Sequence, residues 1–169
     1  MKVFNILPAL LILAACNNSS NTTADTVEHG HDHTANTQTQ DVVDTTAISS
    51  DQSVYFPNLK DGQTITLPFV VEFGVKGMEV EPAQGVNENK GHHHLFIDQS
   101  YTPASTMVPM GKESEGYYHF GKGQLSDTLS LDKYPMLTPG KHTLRLQFAN
   151  GLHMSYGPAM STQITVEVK

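Results

Sequence analysis

The chain has 169 residues, a formal net charge of −7 and 38% hydrophobic residues, which suits one domain with extensions and argues against a nucleic-acid partner. A single cysteine excludes an intramolecular disulfide. The nine histidines and seven methionines are residue types that coordinate soft or borderline metals.

Residues 1–15 read as a signal peptide. Lys2 gives a short positive start, and the apolar run over 3–15 is too short for a comfortable membrane span. The run ends in Leu13-Ala14-Ala15-Cys16, which resembles a bacterial lipobox, with an ordinary secretory signal and a chance cysteine as the alternative. Acylated Cys16 would tie the protein to a lipid bilayer, each buried methylene contributing about 0.8 kcal/mol. Asn17 after the cysteine favours the outer over the inner membrane of a bacterial envelope. Residues 16–52 are rich in Asn, Ser, Thr, Asp and Gln and lack apolar periodicity, so they are expected to form a disordered tether. Within it His29, His31 and His33 flank Asp32, a tract that binds a metal loosely or simply solvates the tether.

From 53 to 169 the pattern alternates with period two. Ile65, Leu67, Phe69, Val71, Phe73 and Val75 form one face; Leu144, Leu146 and Phe148 face in while Arg145 and Gln147 face out; Ile164, Val166 and Val168 close the series. Asp61-Gly62, Pro139-Gly140 and Asn150-Gly151 punctuate the runs. Strands are predicted over about 53–57, 63–67, 69–76, 92–99, 118–131, 141–149 and 161–168. The expected fold is all-β: an antiparallel, immunoglobulin-like β-sandwich of about seven strands. A domain of this size needs no metal merely to fold, so a metal site would be a function added to the scaffold.

The segment Gly91-His92-His93-His94-Leu95-Phe96-Ile97-Asp98 carries the chemistry. On a strand, positions i and i+2 share a face, so His92 and His94 point together, with His93 on the Leu95/Ile97 side at the core margin. Two imidazoles can lean toward one ion, but they do not complete a site. Candidates for the remaining ligands are His119, His153, Met154 and, beyond them, Met160; Asp98 is a candidate orienter. His142 reads as a structural residue at a strand start. Met78, Met107, Met110 and Met136 read as core or loop filler.

The His triplet, His119-Phe120-Gly121-Lys122-Gly123-Gln124 and the 137–150 segment resemble the bacterial domain-of-unknown-function family 4399, over about residues 55–168. The resemblance implies an exported protein, assigns no activity, and carries His92, His93, His94 and His119 onto this chain. Where the family commonly has a further histidine, this chain has Tyr156, so either Met154 or Met160 substitutes or the segment is no part of a site.

The leading expectation is a non-enzymatic envelope lipoprotein that binds a transition ion, copper favoured and zinc second, for buffering or delivery to a transfer partner. Neutral imidazoles as ligands predict that affinity falls as pH drops through about 6.5. Two alternatives stand beside it. One is a tethered adhesion or assembly module with structural histidines that contacts another envelope protein through residues 99–118. The other is a copper-dependent oxidoreductase, against which count the single Arg145 and the absence of hydrolase or phosphate-binding motifs.

Overall fold

The computed structural model describes residues 48–169, so the signal segment, Cys16 and the His29, His31 and His33 tract lie outside the described residues. The described chain is all-β, as the period-two pattern predicts. Its strands are β1 Ser53–Tyr55, β2 Gln63–Ile65, β3 Phe69–Glu72, β4 Gly74–Lys76, β5 Glu79–Val80, β6 Lys90–Ile97, β7 Tyr117–His119, β8 Ser126–Leu129, β9 Gly140–Ala149 and β10 Ser161–Val168. Short 3-10 turns occur at Glu113–Glu115 and Pro158–Met160. Among the described residues no helix is long and apolar enough to cross a membrane.

Ten strands replace the expected seven because two predicted strands are broken and the two-residue β5 falls outside the predicted runs. The 69–76 run divides at Phe73 into β3, which pairs with β8, and β4, which pairs with β1. Inward alternation continues through the break, with Val71 and Phe73 both buried, so the hydrophobic pattern cannot reveal that the partner changes. The 118–131 run divides at its glycines into β7 and β8.

The largest sheet has the order β2-β10-β9-β6-β5, and β7 pairs with β6 further along the strand, at residues 94–96, beyond the short β5. It is not wholly antiparallel as expected: β2 runs parallel to β10, and β5 parallel to β6. Alternation specifies which face a side chain takes, not the direction of the neighbouring strand. The two ribbons, β1–β4 and β3–β8, supply Val54, Val71 and Leu129 to one core with Leu95, Ile97, Leu144, Leu146, Phe148, Val166 and Val168 of the large sheet.

The opposite face of β6 and β9 is also buried, contrary to the expectation of one wet face. Phe96, Val108 and Ala149 form a second small cluster there, with Tyr117 against it. Gln147 faces this side, as its phase predicts, yet is fully buried. Its Oε1 accepts from the Thr102 N–H at 2.8 Å, and its Nε2 donates to the Thr102 carbonyl at 2.7 Å and to Ser155 Oγ. One side chain thus pins the 99–116 loop and the 150–157 turn over the sheet. Truncating it would strand several buried polar groups, each costing about 1–3 kcal/mol.

Candidate metal centre

His92 and His94 lie on this covered face. In the register, His94 stands between Gln147 of β9 and His119 of β7, and His92 stands opposite Ala149. Their donor atoms and those of His119 all lie within 4.8 Å of one another. His153 closes the group: its Nε2 is 3.1 Å from His119 Nε2, and its ring centroid is 5.0 Å from that of His92 and 5.9 Å from that of His94. Four imidazoles therefore converge from β6, β7 and the turn after β9. Tetrahedral bonds of about 2.0–2.1 Å set donors about 3.3 Å apart, so the widest separation would close by about 1.5 Å on binding.

The turn is built to present His153. Asn150 is buried, and its Oδ1 accepts from the Leu152 and Met154 N–H groups, both at 3.0 Å. His153 N–H donates to the Asn150 carbonyl at 2.9 Å. His153 adopts φ +64°, a left-handed conformation that costs an L-residue about 1–2 kcal/mol. Gly151 is required by close approach: a Cβ there would lie 1.9 Å from the Gly85 carbonyl oxygen.

His92 is 0% and His94 1% exposed, and none of their four ring nitrogens has a hydrogen-bond partner. Burial, followed by the neighbouring His119, His153 and His93, lowers the His92 pKa to about 3. Burial and the same surroundings, with His92, push His94 well below its ordinary value. His119 is lowered by burial and His153, with Glu113 opposing; His153 is lowered by burial, with a Leu152 backbone contact opposing. Neutral imidazoles have the lone pairs that metal coordination needs.

His93 shows that an orphaned ring alone is not a site. It is fully buried inside the main core rather than at its margin, with ring centroids 5.0 Å from Phe148 and 5.7 Å from Phe73. Burial lowers it to about 4, and the Gly74 and Gln124 backbones oppose that shift without making a well-formed hydrogen bond. Its ring neighbours are these two phenylalanines and not another imidazole.

The remaining candidates take other partners. His142 is structural, as predicted: Nδ1 lies 2.8 Å from Asp98 Oδ2 and Nε2 lies 2.8 Å from the Thr138 carbonyl. Asp98 also accepts from the Thr143 N–H, so it anchors β9 instead of orienting the cluster. Met160 is buried in the main core, and Tyr156 donates its hydroxyl hydrogen to the Lys90 carbonyl. Met154 follows His153, and its backbone pairs with that of Met107 in a short antiparallel bridge, which leaves its thioether uncommitted to the imidazole cluster. A surface hollow of about 440 Å³, lined by residues 77–79 and 88–90, contains no histidine.

Gly121 is a site residue that sequence reasoning missed. A Cβ there would lie 2.1 Å from both Cε1 and Nε2 of His119, so glycine leaves the space that the ring occupies. Gly121→Ala should displace His119 and weaken metal binding by about tenfold while leaving the fold intact. Calorimetric titration beside a circular-dichroism melt checks both; unchanged affinity would mean that His119 is not a ligand.

An all-β domain with convergent histidines on a covered sheet face is the class that these observations define. The chain belongs to the family described as Domain of unknown function (DUF4399), whose model matches residues 71–169. The match begins later than the resemblance suggests but includes all four histidines. No curated protein and no solved structure matches the chain.

Proposed function

We propose that this protein is a membrane-anchored bacterial envelope lipoprotein that holds one transition-metal ion through His92, His94, His119 and His153. Its role is buffering or delivery rather than turnover. The observation that supports this reading is the convergence of four imidazoles, two of them buried with every ring nitrogen unpaired. Each unmade hydrogen bond in such a place costs about 1–3 kcal/mol, and a coordinated ion would offset that cost.

The imidazole donors suit copper, zinc and nickel, and of these copper or zinc is the ion proposed. Charge favours Cu(I). The ligands are neutral, so an ion's charge stays uncompensated in a buried site, and the desolvation cost rises with the square of that charge. The enclosure of His92 and His94 favours holding an ion over processing a substrate. Anchoring through acylated Cys16 belongs to the same proposal.

Metal analysis of the protein isolated without metal-affinity chromatography tests the reading. About one copper or zinc per chain is expected. A metal-free protein that also rejects added Cu(I), Cu(II) and Zn(II) would instead favour the assembly-module reading.

A further inference from the structure

The outer side of the loop ribbon above the cluster carries two methionines, a residue type whose thioether can ligate soft metals. Met107 and Met154 are paired in an antiparallel bridge. Val108 N–H donates to the His153 carbonyl at 2.8 Å, and Ser155 N–H to the Thr106 carbonyl at 2.9 Å. These bonds flank the methionines, so 107 and 154 form a non-hydrogen-bonded pair. That is the closer kind, with Cα atoms about 4.5 Å apart and both side chains on one side. Val108, next along the chain, packs inward on Phe96. The methionine side is therefore the outward one, with Met107 61% exposed and Met154 half-buried.

Two thioethers side by side offer polarizable, flexible donors that select soft cations such as Cu(I) and give Zn(II) little. Met154 is joined through one peptide bond to His153, whose ring reaches His119, so the pair sits directly outside the proposed centre.

The geometry points to Met107 and Met154 as a thioether site, open at Met107 and half-buried at Met154, that captures Cu(I) and passes it to the histidines by way of His153. This rests on the proposed metal role of the cluster. The ion moves as Cu(I) throughout, with ligands exchanged and no electron transferred. The burial of His92 and His94 gives such a port a purpose, since neither ring can meet an incoming ion at the surface.

Ag(I), an air-stable probe for soft monovalent sites, tests the capture step on the full chain carrying ¹³C-methyl methionine. Met107 and Met154 methyl resonances, assigned by single Leu substitutions, should shift with Ag(I), and should still shift in His92→Ala/His94→Ala. Met107→Leu/Met154→Leu should raise the Ag(I) dissociation constant at least about tenfold and leave Zn(II) affinity unchanged. Anaerobic mixing with Cu(I) tests delivery: the same double variant should load the histidines at least several-fold more slowly. Methyl resonances that stay fixed while Ag(I) binds would overturn the thioether site, and an unchanged loading rate would overturn its role as a port. Ag(I)-dependent methyl shifts in a protein whose histidines bind neither copper nor zinc would sink the cluster reading while leaving the thioether site standing.

Discussion

Replacing His92 and His94 together by Ala should abolish high-affinity copper and zinc binding, with at least a tenfold loss of affinity, or about 1.4 kcal/mol, as the floor. The two rings supply half of the converging donors and are the ones with no alternative partner. The apo fold should survive. The main core lies on the other face of β6, and the double substitution removes two buried, unpaired polar rings, offsetting part of the lost packing. Replacing His29, His31 and His33 should remove only a weaker binding phase, because unpositioned ligands lose ordering entropy on binding. Calorimetric titration of the parent and both variants separates the sites. Parent-like affinity in the double variant, with binding lost on replacing the tract, would move the metal site to the tether.

The apo protein should lose stability steeply in mild acid. Folded His93 titrates near 4 and His92 near 3, whereas both titrate near 6.5 when unfolded. Between those values the unfolded chain binds more protons. Their contribution is therefore fully present above about pH 6.5 and is lost as pH falls toward 4 and then 3. His93 alone accounts for a swing on the order of 3 kcal/mol. Urea midpoints at pH 7.5, 5.5 and 4.5 should decline in sequence, and His93→Leu should flatten the profile. A parent profile flat across this range would show that the imidazoles are not held neutral by burial. The same lowering revises the expected pH dependence of metal binding. Proton competition should set in below the ordinary histidine range, leaving binding at pH 5.5 stronger than a threshold near 6.5 would allow.

Strand alternation in the sequence determined the all-β class, the inward set from Ile65 to Val168 and the shared face of His92 and His94. The i, i+2 rule needs only local backbone geometry, so these were legible without a fold. The possible neighbourhood of His119, and of His153 after the Asn150-Gly151 turn, also followed from strand order in outline. What the sequence could not determine was long-range. The break at Phe73 and the parallel placement of β2 and β5 leave no trace in a pattern that records only faces. Gln147 reads as a solvent-facing residue, because nothing local says that residues 99–116 fold back over it. His93 reads as marginal until Phe73 and Phe148 enclose it. The pairing of Met107 with Met154 depends on that same returning loop. Local geometry sets where a side chain points; only tertiary packing decides what meets it there, and so converts two histidines on a strand into a four-imidazole cluster.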